Sequence, residues 1–407
     1  MDTADYPPDF RCPISMEVMK DPVTILTGVS YERKNIEKWF HAYNKKTCPA
    51  TMQLLRNLDM TPNHTLKRLI LAWQDRLVTP PSSSPSQPSI KHDEMVSLFS
   101  TLESSPFKVT SLKKIRSIVE LGDDTRSGFI RSGGVEAVVQ ILVTQTVVDN
   151  YDFVSFQACE EALGVLHLLP LSEEDKTFQL LSKPEPMKSI AIVLQRGSAE
   201  ARLYAITVFR QIAKTDFCWN PLLQDQGMDL FKSLLELVYD EIGSKASSCA
   251  LEVLIEILAS SKKSRLKAIE AGAVCVLIEL LPDSNRSKCE KMLLLIKLMC
   301  ECAEGRMALV EHGLGIPAVS KKLLHVSNSA TKLGVKILWL MSTFHPTERV
   351  LEEMLIYGAV KKLVALIHME GRSTKDKVLN MFKLHGNSWR RHPCFPCDLK
   401  DYLGCHE

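Results

Sequence analysis

Glycine is sparse and proline no more than ordinary, 18 and 20 in 407 residues, too few for a collagen-like chain. A dominant charge sign is also missing. Fifty Lys+Arg face 48 Asp+Glu, a formal net charge of +2, so no global positive field points to nucleic acid or an acidic membrane. Nor is charge segregated along the chain: residues 1–78 carry 11 basic and 9 acidic side chains, the rest 39 and 39. Long hydrophobic runs are absent. The best candidate, Met292-Leu293-Leu294-Leu295-Ile296, stops at Lys297, whereas a membrane span needs about 20 apolar residues. The opening Met1-Asp2-Thr3-Ala4-Asp5-Tyr6-Pro7-Pro8 has neither a basic region nor an apolar one, so no secretory signal is expected. The 12 cysteines are scattered, unlike the framework of a small secreted domain. Reduced thiols in the cytosol or nucleus are the expectation.

What remains is ordinary globular material, 45% apolar and 24% charged, which excludes wholesale disorder. The length suggests two to four domains, or one small domain with a repeat array. Residues 80–89 contain four Pro and five Ser. Such a stretch cannot build a core and reads as a linker. It divides a segment at 6–78 from a long remainder, with the linker itself at 79–92.

The short segment reads as loop, hairpin, helix, loop, helix. Val23–Ser30 resembles a short hairpin turning at Thr27-Gly28. Arg33–Tyr43 places Ile36 and Phe40 on one helical face with Trp39 at its edge. Asn63–Gln74 places Leu66, Leu69, Ile70 and Trp73 on one stripe, with Asn63 as N-cap, and Leu69 is expected to be buried. The loops are Arg11-Cys12-Pro13-Ile14-Ser15 and Thr47-Cys48-Pro49-Ala50. This layout is similar to a RING finger, but two zinc ions need eight ligands. Residues 1–78 offer only Cys12, His41, Cys48 and His64, at spacings of 29, 7 and 16 that match no zinc clip. No metal and no cofactor are expected.

The segment therefore resembles the U-box, the zinc-free relative of the RING. The resemblance rests on Phe10-Arg11-Cys12-Pro13-Ile14-Ser15, Met19-Lys20-Asp21-Pro22-Val23, Ser30-Tyr31-Glu32-Arg33, Ile36-Glu37-Lys38-Trp39, Thr47-Cys48-Pro49-Ala50-Thr51 and Thr61-Pro62-Asn63-His64-Thr65-Leu66. It implies a module that binds a ubiquitin-charged E2 conjugating enzyme. Salt bridges and hydrogen bonds would stand in for the zinc ions, with Asp21, Glu32, Arg33 and Thr47 as candidates. Cys12, Pro13, Asp21 and Cys48 would shape the loops. Ile14, Trp39 and Pro49 would form the E2-docking surface, an exposed apolar patch of the kind that anchors interfaces. No covalent catalytic nucleophile is expected; Cys12 has no visible activating base. Many relatives carry a basic residue shortly after the second loop's proline. Three residues after Pro49 this chain has Met52, a departure that bears on activation rather than docking.

From about residue 93 the periodicity is helical, as in the stripe Ala250, Leu251, Leu254, Ile257 and Leu258. A glycine phrase recurs at Gly133-Gly134, Gly227, Gly272, Gly313 and Gly358. The steps after Gly227 are 45, 41 and 45 residues. Pro184-Glu185-Pro186-Met187 fills the missing copy without its glycine. This period resembles armadillo repeats, here spanning 93–384, with each glycine expected to turn the chain ahead of the unit's long last helix. Such a solenoid recruits protein partners on its stacked surface. A tail at 385–407 holds Trp389 and the group Cys394, Cys397, Cys405 and His406, whose proline-interrupted spacing argues against zinc. The whole is mostly α, a small α+β U-box followed by an armadillo-type α-solenoid. It resembles the plant U-box/armadillo ubiquitin ligases. Membership implies an E3 ubiquitin ligase, protein substrates held by the repeats, and roles in defence and stress. The expected setting is the cytoplasm or nucleus. An adaptor with a degenerate U-box is the alternative.

Overall fold

The computed structural model describes residues 7–78, 99, 102, 108–146, 153–170, 176–215, 217–240, 243–369 and 372–395. The proposed linker, and Cys397, Cys405 and His406 of the tail, lie outside them. The chain forms two compact units, residues 1–226 with 240–249, and residues 227–239 with 250–407.

The first unit opens with a small antiparallel sheet. Strand β1 (Pro22–Thr24) lies between β2 (Ser30–Glu32) and β3 (Thr61–Pro62). Val23 faces Tyr31 on one side and Pro62 on the other. The hairpin turns where expected, because Gly28 takes a φ of 79° and closes onto Ile25. Helix α1 (Arg33–Glu37) follows β2 and widens into a π turn over Lys38–Ala42. Helix α2 (His64–Val78) closes the module. Asn63 accepts the Leu66 N–H at 2.9 Å, the expected N-cap bond. Its Nδ2 also reaches Thr24 Oγ1 and Ser30 Oγ, both at 3.2 Å, so one side chain starts the helix and ties two strands.

Leu69 corrects an expectation. It is 54% exposed, while Ile70 is 3% exposed. Among the described side chains of this helix, the narrow line Leu66, Ile70 and Trp73 turns inward, with Trp73 edge-on to Phe10 at 6.1 Å. A sheet this small covers a narrower stripe than the usual core-facing helix buries.

The remainder is helical triplets. In the first unit they include Asp123–Arg131, Gly134–Thr146 and Phe153–Leu166, then Lys176–Leu181, Pro184–Arg196 and Ala199–Ile212. In the second they include Lys262–Glu270, Ala273–Leu280 and Arg286–Cys300; Ala303–Glu311, Gly315–Lys322 and Asn328–Phe344; Glu348–Ile356, Ala359–Met369 and Arg372–Arg391. Third helices stack on one another, Arg286–Cys300 on Asn328–Phe344 and that on Arg372–Arg391. Polar caps mark the starts: Ser198, Ser261, Asn285, Ser327 and Thr347 each accept a backbone N–H three residues on, satisfying donors no helix can satisfy itself.

The recurrent glycine acts one step earlier than expected. Gly272 (φ 86°) joins the first helix of its triplet to the second, not to the long third. Gly313 and Gly358 hold similar angles at the same junction. In the copy without glycine, Pro184 opens its helix instead, as its fixed φ allows. At the end, Arg372–Arg391 runs unbroken past residue 385. Trp389 is 1% exposed, and its Nε1 donates to Leu351 O at 3.1 Å.

Candidate functional site: the two Cys-Pro loops

The two loops of the small domain are built alike. In the first, Cys12 N–H donates to Glu17 O (2.8 Å) and Met16 N–H to Cys12 O (2.7 Å). In the second, Cys48 N–H donates to Gln53 O (2.9 Å) and Met52 N–H to Cys48 O (2.8 Å). Each loop is closed by one isolated bridge, Arg11 with Val18 and Thr47 with Leu54. The repeated pattern is Cys-Pro-x-x-Met, present in the sequence at 12–16 and 48–52 but unremarked by periodicity, because it is a loop motif.

Hydrogen bonds hold these loops to the sheet and helix. Cys12 Sγ accepts from Glu32 N–H at 3.2 Å and from Asn35 Nδ2 at 3.6 Å. Cys48 Sγ accepts from Thr27 Oγ1 at 3.3 Å and shares a bond with the Tyr31 hydroxyl at 3.0 Å. That hydroxyl also accepts the Ala50 N–H at 3.1 Å. Burial pushes the Tyr31 phenol far above its ordinary range, reinforced by Cys48. Burial alone would raise the Cys48 thiol, but hydrogen bonds from Thr27, Thr51 and Tyr31 outweigh it and bring it below its usual value. Neither thiol is a nucleophile in waiting, since Cys12 and Cys48 are both fully buried.

Three of the four expected bridging residues form one cluster. Arg33 Nε meets Asp21 Oδ2 at 2.6 Å, and Lys67 approaches the same carboxylate at 3.7 Å. Arg33 lowers the Asp21 carboxyl, although partial burial opposes it. One oxygen of Glu32 accepts both Lys20 N–H (2.7 Å) and Asp21 N–H (3.0 Å). Thr47 contributes through its backbone: its carbonyl accepts Trp39 Nε1 at 2.8 Å. Among the described residues, no group of three or more Cys, His, Asp or Glu is arranged to hold a metal ion.

Ile14, Trp39 and Pro49 are brought onto one domain but not as an exposed patch. Ile14 is 6% and Trp39 8% exposed, and Pro49 is buried. The π turn explains Trp39. It begins at Lys38 and contains Trp39, whose indole reaches the second loop at Thr47 O. Lys45 then lies over the ring at 5.0 Å. The backbone of Ile14 is approached by Gly243, which belongs to the same compact unit. A β-carbon placed on Gly243 would sit 3.3 Å from Ile14 O. Tyr43 donates its hydroxyl to Asp240 O, and Ser244 Oγ lies 3.5 Å from Glu17 Oε1. Met52 is 52% exposed.

Comparison with known proteins agrees with this architecture. The U-box domain family model matches residues 6–79, and the plant U-box protein ARM repeat region matches 93–403. The E3 ubiquitin-protein ligase PUB23 of Arabidopsis thaliana is 35% identical over 415 aligned residues, 97% of this chain and 96% of its own. PUB22 of the same plant is 32% identical, covering 98% of each. The chain belongs to the plant U-box and armadillo-repeat E3 ubiquitin-protein ligases. Its U-box is the α+β module holding the two Cys-Pro loops, and its helical triplets are the armadillo repeats. Another relative, U-box domain-containing protein 25 of Arabidopsis thaliana, is 30% identical over 98% of this chain and 95% of its own. No helix among the described residues is long and apolar enough to cross a membrane.

Proposed function

We propose that the U-box docks a ubiquitin-charged E2 through Ile14, Trp39 and Pro49, and that the armadillo repeats hold a protein substrate. One observation carries this reading. The indole of Trp39 ties the helix to the second loop through Thr47 O, and Ile14 of the first loop shares its core cluster. The two loops and the helix thus act as one rigid apolar edge. The chemistry belongs to the E2. A substrate lysine amine attacks the thioester carbonyl; a C–N bond forms, the C–S bond breaks, and the E2 cysteine leaves as thiolate while the amine proton passes to solvent. The ligase contributes proximity and restricts the thioester's geometry, and the joined modules raise the local substrate concentration.

Because Gly243 approaches Ile14 O and Tyr43 holds Asp240 O, docking at Ile14 requires Asp240 and Gly243 to move aside. Discharge of an E2-ubiquitin thioester onto free lysine tests both ideas with the full chain. The wild type should accelerate discharge. Tyr43→Phe, which removes the bond to Asp240 O, should accelerate it further. No acceleration by any form would favour the second reading, an armadillo adaptor with a degenerate U-box. That reading draws its support from Met52, an exposed side chain that offers no cation or hydrogen-bond donor at the position after the second loop.

A further inference from the structure

In the second unit, the turns of two neighbouring armadillo repeats enclose a cavity of about 370 Å³. Its lining is Ser284, Arg286, Lys321, Lys322, His325 and Val326. All six belong to the joint between a second helix and a third. Ser284 precedes Arg286–Cys300, which Arg286 opens; Lys321 and Lys322 close Gly315–Lys322, and His325 and Val326 lead into Asn328–Phe344. The size falls in the range of small-ligand pockets, and no carboxylate is part of the lining.

The cations of this lining are held in different ways. Lys322 Nζ donates to Pro282 O at 2.9 Å, which ties the two turns together without neutralising the ammonium. Lys362 Nζ donates to Ser320 O at 2.9 Å and Lys321 O at 3.2 Å, so the backbone that carries Lys321 is braced from the next repeat. Arg286 meets one oxygen of Glu290 at 3.4 Å, with its own side chain 74% exposed. Ser327 Oγ donates to that same oxygen at 2.5 Å. A long, exposed pair of this kind holds an arginine weakly and leaves most of its five donors available. Among the described residues, no ion pair or hydrogen bond engages the Lys321 ammonium or the His325 ring. The first turn of Arg286–Cys300 opens at the same place. Asn285 caps the Lys288 N–H at 3.0 Å, while the N–H groups ahead of it have no acceptor within the helix, and the helix dipole adds partial positive charge there.

Within the reading that the repeats recruit a protein substrate, we infer that this cavity receives a phosphorylated serine or threonine side chain of that substrate. A phosphate monoester carries about −1.5 to −2 charge at pH 7 and three strong acceptor oxygens. That matches a hollow lined by Arg286, Lys321 and Lys322 with no acid among them. Arg286 would take two oxygens in a fork, and the two ammoniums would act as point charges. The cations line one hollow, in a chain whose net charge is only +2. This suits a single compact anion better than a nucleic-acid backbone, which calls for a basic stripe.

The test uses the full chain and a labelled pool of peptides, roughly ten residues long, with a central phosphoserine and randomised flanks, read by fluorescence anisotropy. It is compared with the same pool carrying serine, and with a short single-stranded oligonucleotide of equal net charge. The phosphoserine pool should bind about tenfold or more tightly than the serine pool, and inorganic phosphate should displace it. Lys321→Glu should weaken the phosphoserine pool by about tenfold or more, and Lys321→Gln by less. Both should keep the wild-type circular dichroism spectrum, since this side chain is exposed. Lys263→Glu makes the same charge change at an exposed position outside the cavity and should leave binding unchanged. No binding of the phosphoserine pool, equal binding of the two pools, the same loss in Lys263→Glu as in Lys321→Glu, or tighter binding of the oligonucleotide would each overturn the inference. Discharge of E2-ubiquitin onto free lysine by the wild type is followed in parallel. Phosphoserine selectivity in a chain without discharge would refute the ligase reading and leave the cavity standing; discharge without that selectivity would refute the cavity alone.

Discussion

Met16 and Met52 occupy equivalent places in the two Cys-Pro loops, with φ of 59° and 57°. Each donates its N–H to the carbonyl of the cysteine four residues earlier. Left-handed backbone costs an L-residue with a β-carbon roughly 1–2 kcal/mol, so each loop stores a small strain. At Met52 the exposed side chain returns little packing. Met52→Gly should therefore raise U-box stability by about 1 kcal/mol, seen as a higher urea midpoint at unchanged slope. A lower midpoint would mean that the Met52 side chain packs more than its exposure suggests.

Burial gives the proposed docking residues Ile14 and Trp39 a share in folding that the exposed Leu69 lacks. Trp39→Ala removes a core side chain and the bond to Thr47 O, and should destabilise the U-box by about 3–5 kcal/mol. Ile14→Ala should cost about 2–4 kcal/mol. Leu69→Ala, at a site more than half exposed, should change stability by less than about 0.5 kcal/mol. Chemical denaturation of the three variants decides this. A neutral Trp39→Ala would restore the indole to a free surface.

The helical repeats were legible because their evidence is periodic. Glycines near 41–45-residue steps located the triplets, and the stripe from Ala250 to Leu258 is buried as the spacing implies. The U-box motifs were legible as residues in order, and its hairpin and N-cap followed from local chemistry at Gly28 and Asn63. The depth of Ile14, Trp39 and Leu69 was not legible. A π turn has no signature in a five-residue window, and Ile14 is approached by Gly243, more than 220 positions away. Glu32 was legible as a bridging candidate, but its clasp, one carboxylate oxygen on the N–H groups of Lys20 and Asp21, was not.

Hydrogen bonding by the two buried thiols predicts indifference to chelators. Their partners are Glu32 N–H, Asn35, Thr27 and Tyr31, and all are present in the polypeptide itself. EDTA should leave U-box unfolding and ubiquitin transfer unchanged. Tyr31→Phe should instead destabilise it by about 1–3 kcal/mol, since the Ala50 N–H loses its buried acceptor. A melting temperature that falls with EDTA and recovers with zinc would refute the zinc-free assignment.

Acid should act on the first armadillo unit through His167. Its ring stacks on Tyr204 at 4.1 Å, and its Nδ1 is buried without a hydrogen-bond partner. Burial, and then the nearby Arg116 guanidinium, lower its pKa to about 3, against about 6.5 for a free histidine. The unfolded chain therefore takes up a proton that the folded chain refuses. His167 contributes no penalty above pH ~6.5, and stability falls as pH drops from ~6.5 toward 3, by at most about 1.4 kcal/mol per pH unit. Replacing the ring by one that does not titrate, His167→Phe, should flatten the loss of melting temperature between pH 6.5 and pH 5, where few carboxylates titrate. The Phe ring also removes the unsatisfied nitrogen, so the comparison rests on the slope with pH and not on absolute stability. Equal slopes for the two proteins would show that His167 takes up its proton as readily in the folded chain as in the unfolded one.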